Sequence, residues 1–211
     1  MYGGAFIEPL KRSCRGDSAS YAGQVKIRPA AIADVPAMHR VINDAAEFGL
    51  MLHKSFGHLY ENLREFQVAE DAAAVSPANP TGVIGVCGLS IIWADLAEVV
   101  SLAVDAAHRG RGLGGALTQA CLDEAHALGI RRVMSLTYEQ AFFERLGFAV
   151  VNRGQLPMKV WADCVRCPKN QACDEIAMMR TFTDLAPLPD IPRPPQPASL
   201  EVPVTLTNSV G

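Results

Sequence analysis

Seven consecutive residues constrain this chain more than any others: Arg109-Gly110-Arg111-Gly112-Leu113-Gly114-Gly115. Before them, Glu98 to Val104 reads as a strand entered from a turn at Asp95. After them, Leu113, Leu117, Ala120, Cys121, Glu124 and Leu128 recur at helical spacing, and Gly129 closes the run. A glycine-rich turn between a strand and a helix start is an anion site by construction. The first four helix amides have no internal partner, and the helix dipole adds partial positive charge. Glycines let the backbone approach a bulky anion and adopt positive φ. The expected ligand is a pyrophosphate.

Two common phosphate loops fail to fit. Gly110, Gly112 and Gly115 have the glycine spacing of a dinucleotide fingerprint. That fingerprint also needs an acidic residue at the end of the next strand, and here the strand ends in Leu136-Thr137. A Walker loop needs Gly-Lys followed by Ser or Thr, which is absent.

The remaining elements alternate in type. Strands are expected at Val25–Arg28, Phe66–Ala69, Val83–Trp93, Arg131–Thr137, Phe148–Val151 and Glu175–Phe182. Helices are expected from Asp34 through Ala45, from Gly57 to Glu65 and from Ala141 to Leu146. The class is α+β, or mixed α/β. Residues 1–23 lack either period and read as a flexible lead-in; 24–184 form one domain. From Ala186 to Pro203 there are seven prolines, so 185–211 reads as a proline-rich tail.

Charge and hydropathy exclude several functions. The 211 residues carry 19 basic and 22 acidic side chains, which excludes the basic footprint of a nucleic-acid binder. No apolar run approaches the length of a membrane span. The N-terminus lacks a signal-peptide pattern, so a cytoplasmic location is expected.

The pattern Arg109-x-x-Gly112-x-Gly114 after Ser101-Leu102-Ala103-Val104 resembles the acetyl-CoA loop of the GNAT N-acetyltransferases. Ala141-Phe142-Phe143-Glu144-Arg145-Leu146-Gly147-Phe148 resembles their second landmark, and the resemblance runs from about Val25 to Phe182. It implies the GNAT fold, a central mixed sheet whose middle strands splay, flanked by helices. It also implies acetyl-CoA as co-substrate. The pyrophosphate would sit on Arg109, Gly110, Arg111, Gly112, Leu113, Gly114 and Gly115, with pantetheine along Leu102, Ala103 and Val104. The acceptor amine would attack the thioester directly after losing a proton. Glu98 is the candidate base. Phe143 stands on the cofactor side where the family often has a tyrosine acid. Tyr138, Thr137 and Ser135 are substitutes for that acid, or the thiolate leaves unassisted.

Three segments resemble the short bacterial amino-acid N-acetyltransferases, the N-acetylglutamate synthases without a kinase-like domain. They are Gly49 to Ser55 with Leu59 to Phe66, Asp95 to Val104, and Lys159 to Ala177. The resemblance implies L-glutamate as acceptor, in the first step of arginine synthesis. Two acceptor carboxylates need cationic or multi-donor groups. Lys54 is the first candidate, where the family typically has arginine; Ser101 and Lys159 follow, and Arg64 is weaker. Other amines remain open as acceptors, as does a CoA- or metal-binding regulatory module without turnover. A homodimer is expected by analogy of fold.

Cys164, Cys167 and Cys173 cluster within the loop 155–174. Three thiolates could form a structural zinc knuckle with a fourth ligand from elsewhere, act as a redox pair, or simply pack. Cys87 and Cys121 fall on apolar faces and read as core.

Overall fold

The computed structural model describes residues 25–152, 156 and 174–188. Among the described residues seven strands form one sheet: β1 (Val25–Pro29), β2 (Phe66–Asp71), β3 (Val83–Trp93), β4 (Leu96–Val104), β5 (Arg132–Thr137), β6 (Ala149–Val150) and β7 (Ile176–Thr181). Their spatial order is β1-β2-β3-β4-β5-β7-β6. Neighbours are antiparallel except β4 and β5, which run parallel. The expected mixed sheet is therefore present, with the parallel pair β4 and β5 at its centre.

Helix α1 (Val35–Glu47) begins after Asp34, with Pro36 in the first turn where its missing donor costs nothing. Its apolar stripe, Val35, Met38, Val41, Ile42 and Ala45, is wholly buried. These residues pack with Leu59, Phe66, Val68, Val86 and Ala103 on one face of the sheet. Helix α3 (Leu113–Ala127) covers the other face through Leu117, Cys121, Leu122 and Ala125, packed on Ile84, Ala97, Val99 and Val133. Gly129 ends it at φ 76°, letting Ile130 N–H reach back to Ala125 at 2.9 Å.

The expected helix from Gly57 to Glu65 divides in two. Helix α2 (Phe56–Glu61) stops at Asn62, and a 3-10 turn follows at Leu63–Glu65. The Asn62 carboxamide donates to the His58 carbonyl at 2.8 Å, a local bond that competes with helix continuation. Helix α4 (Gln140–Arg145) leads into Gly147, which takes φ 82°. No helix of the described residues is long and apolar enough to cross a membrane.

The lead-in 1–23, the tail beyond 188 and nearly all of the loop 155–174 lie outside the described residues.

Candidate active site

The glycine loop occupies the corner between β4 and α3. Asp105 turns the chain: its Oδ1 accepts the Ala107 amide at 3.0 Å and caps a short 3-10 turn, Ala106–His108. The Arg109 guanidinium folds back, and its Nε donates to the Val104 carbonyl at 2.9 Å. Gly110 and Gly112 then take φ 76° and 82°, a region strained for any residue with a Cβ. Gly112 is the N-cap of α3 and has no side chain to cap it, so no side chain bonds to the helix start from that position. The first amides of a 15-residue helix therefore open into the adjoining cleft.

That cleft has a volume of about 450 Å³. Val104 closes it on the strand side, the loop forms its floor, and Phe142, Arg145 and Leu146 of the α4 segment form the opposite wall. The Phe142 ring lies 3.6 Å from where a Cβ on Gly114 would stand. Phe143, expected on the cofactor side, is instead in the core. It is 4% exposed and meets Phe148 edge-to-face at 5.1 Å. One residue is 100° of helix turn, so Phe142 and not Phe143 faces the cleft. Sequence reasoning also passed over Arg145. It stands three residues after Phe142, on the same helix face, and that spacing could have found it.

The pair β4 and β5 supplies the second part of the site. They stand opposite one another at Leu96/Arg132, Ala97/Val133 and Glu98/Met134, and the pairing ends there although both strands continue. Beyond that point the Ser135 hydroxyl donates to the Val99 carbonyl across the widening gap, at a long 3.5 Å. This is the expected splay.

A bulge accompanies it. Val86 stands opposite Ala103 and Gly88 opposite Val100, so β4 carries one extra residue between them. Ser101 lies in that bulge with φ 53°. The extra residue reverses which side chains face which way. Before it, Ala97 and Val99 pack on the α3 side; after it, Leu102 and Val104 do. Ala103 joins the α1 side. Glu98 is half-buried on the face opposite Ala97 and Val99, next to Leu96 and Met134 of a third cluster. The strand thus offers a carboxylate to one face and an apolar wall to the cleft.

Thr137 is buried at the end of β5, and its hydroxyl oxygen accepts the Glu139 amide at 2.9 Å, leaving its proton to donate elsewhere. Tyr138 follows it, half-buried. On the other side, Lys54 sits in the α1–α2 connection. Met51 of that connection packs into the cluster that contains Ala103. Asn43 of α1 grips the Lys54 backbone from both ends: its Oδ1 accepts the Lys54 amide at 2.9 Å and its Nδ2 donates to the Lys54 carbonyl at 3.0 Å. Arg64 is exposed on the 3-10 turn. Lys159 lies outside the described residues.

Cys164, Cys167 and Cys173 also lie outside them. Among the described residues no group of three or more His, Cys, Asp or Glu is placed to hold a metal ion. Cys87 and Cys121 are free and fully buried, as core residues should be. The hydrogen bond to Cys121 and burial together push the Cys87 thiol well up, so it is no thiolate.

The corner carboxylate is an anion. Burial works to raise the Asp105 carboxyl, but His108, Arg40 and the Ala107 amide outweigh it and hold it below the usual carboxylate range. His108 Nδ1 stands 3.1 Å from Oδ1, and Arg40 Nη1 of α1 stands 3.0 Å from Oδ2.

The chain is similar to known proteins in sequence and in fold. An uncharacterised N-acetyltransferase of Chlorobaculum tepidum is 35% identical over 161 residues, covering 76% of this chain and 99% of that protein. An amino-acid acetyltransferase of Mycobacterium tuberculosis is 34% identical over 66% of this chain and 77% of its own length. Among solved structures, an N-acetylglutamate synthase of Neisseria gonorrhoeae, complexed with coenzyme A and N-acetyl-glutamate, superposes with a TM-score of 0.63 at 26% identity. That match covers 74% of this chain and 35% of the synthase. The pattern of the Acetyltransferase (GNAT) family matches residues 41–148, which take in most of α1, the splayed strands, the glycine loop and α4. By that match and by its relatives, this chain belongs to the GNAT acetyltransferase family.

Proposed function

We propose that the protein transfers the acetyl group of acetyl-CoA to the α-amino group of L-glutamate, in the cytoplasm, as the first step of arginine synthesis. One observation carries the acetyl-transfer part: β4 leaves β5 beyond Glu98/Met134, and the uncapped helix start adjoins Val104 at the far end of the strand. The gap admits an extended thioester arm, and the helix start receives its pyrophosphate. The relatives that bear amino-acid acetyltransferase names support an amino acid as acceptor, and the synthase complexed with N-acetyl-glutamate supports glutamate among them.

In this reading the pyrophosphate lies on the amides from Arg109 to Gly115, and Arg145 and Arg109 offset its charge. Pantetheine runs beside Leu102, Ala103 and Val104, completing the hydrogen bonding that β5 abandons. The ammonium of glutamate gives a proton to the Glu98 carboxylate, directly or through water. The amine nitrogen then attacks the thioester carbon. A carbon–nitrogen bond forms, the carbonyl π pair moves to oxygen, and collapse of that adduct breaks the carbon–sulfur bond. The nitrogen, cationic after attack, loses its second proton as the adduct collapses, and that proton passes to the departing sulfur, directly or relayed through the hydroxyl of Tyr138 or Thr137; otherwise it goes to water and the sulfur leaves as thiolate. Lys54, Ser101 and Lys159 hold the glutamate carboxylates.

The test is product identification. Protein, acetyl-CoA and an equimolar mixture of amino acids are incubated, and acetylated products are separated by mass spectrometry. N-acetylglutamate as the main product supports the reading. Another acetylated amine as the main product replaces the acceptor but keeps the chemistry. No product with bound CoA would mean a binding module without turnover.

A further inference from the structure

Helix α1 touches both substrate loops, and it does so with two polar residues on one face. Arg40 and Asn43 are three positions apart, which places them side by side on a helix. Arg40 reaches the phosphate-loop corner: its Nη1 meets Asp105 Oδ2 at 3.0 Å. The other carboxylate oxygen of Asp105 is engaged within its own turn, with the Ala107 amide and His108. The Asp105 amide is tied to the Ile84 carbonyl of β3 at 2.8 Å. Asn43 reaches the other way and holds both backbone groups of Lys54. Such a two-point amide contact fixes where the Lys54 side chain starts, as a strand partner would.

The helix between them cannot shift freely. Val35, Met38, Val41, Ile42 and Ala45 lock it to the sheet, each at most 3% exposed. The two contacts are therefore referenced to one rigid element. The acceptor's amine nitrogen, held through its anchored carboxylate, has to meet the thioester carbon to within about an ångström of its attack position for direct transfer.

We propose that α1 is a strut that sets the spacing of the two substrate loops, with Arg40 a positioning residue for acetyl-CoA and Asn43 a positioning residue for the acceptor amino acid. Arg40 acts through Asp105 and Asn43 through Lys54. The inference rests on the reading of the glycine loop as the acetyl-CoA site and of Lys54 as an acceptor ligand.

The experiment is a split of Michaelis constants on the full chain. Arg40→Gln should raise KM for acetyl-CoA roughly three- to tenfold, with KM for glutamate within about twofold of wild type. Arg40→Lys, which keeps the charge but loses the fork, should recover part of that loss. Asn43→Ala should show the reverse pattern, raising KM for glutamate by a similar factor. Asn43→Ser, which keeps an oxygen, should fall between. Thermal melts establish that each variant is folded, and the milder variant decides where the harsher one is not. Equal shifts of both constants would reduce the strut to a structural element and overturn the proposal, as would folded variants with unchanged constants. If the wild type acetylates no amino acid, the underlying reading fails and the inference falls with it; in the other failures the wild type turns over normally.

Discussion

Glu98 and Met134 are the last residues at which β4 and β5 stand opposite each other. The candidate base is thus placed where the sheet opens, at the inner end of the gap that would receive the thioester. Replacing Glu98 by Gln keeps the shape and removes the base. Turnover at neutral pH should fall about a hundredfold or more, with part of the loss recovered as pH rises and free amine becomes available. A kcat/KM profile from neutral to alkaline pH checks this. A profile like the wild type's would remove Glu98 from the mechanism.

Ser101 takes φ 53° within the bulge that exchanges the faces of β4. Ser101→Gly suits that backbone and should retain most stability and turnover. Ser101→Val places a β-branched residue where it is strained and should cost about 1–2 kcal/mol of stability. Because the bulge aims Glu98 and Leu102 to opposite faces, Val should lower activity beyond the loss of folded protein. Urea denaturation and active-site titration with CoA separate the two effects.

Gly112 caps α3 at φ 82°, and a Cβ added there would meet no atom within 4 Å. The cost of Gly112→Ala is then conformational rather than steric, about 1 kcal/mol. CoA affinity, measured by calorimetric titration, should weaken several-fold while the folded core is retained.

Asp34 is 1% exposed and lies before α1. Arg28 meets both its oxygens, at 2.6 and 3.0 Å, and the Ala31 amide donates to it at 2.7 Å. Burial pushes its carboxyl up, but Arg28 and Ala31 outweigh that and hold it below its ordinary value of 3.8. A depressed carboxylate contributes stability that is complete above the ordinary value and is lost as pH falls below it. Arg28→Ala leaves a buried carboxylate held by the Ala31 amide and the Thr81 hydroxyl but without its cation, and should cost about 2 kcal/mol at neutral pH. The acid-unfolding midpoint, followed by circular dichroism, should move to higher pH in that variant.

Much of this arrangement was legible in the sequence because its signals are local. The stripe Val35, Met38, Val41, Ile42 and Ala45 specifies α1 and its buried face. The glycines at 110 and 112 announce positive φ, and both adopt it. What was not legible depends on distant partners. Serine does not signal a left-handed residue, so the Ser101 bulge follows from how β3 and β4 pair. Asn43 reads as an ordinary polar position of a helix, and only the fold brings Lys54 to it. Phe142 and Phe143 are identical in type, so which faces the cleft is settled by packing against Phe148. The break at Asn62 has a different, local cause: its side chain bonds the His58 carbonyl four residues back, and the apolar spacing that predicts the helix does not report such a bond.

The central claim is acetyl transfer to glutamate, and its most direct measurement is the initial rate of CoA thiol release with single amino acids. Each is supplied over a range of concentrations at fixed acetyl-CoA. Release should saturate with L-glutamate, at a kcat/KM above that for every other amino acid tested, and should be negligible without acceptor. Release that is independent of glutamate, or that requires a different amine, would contradict the claim.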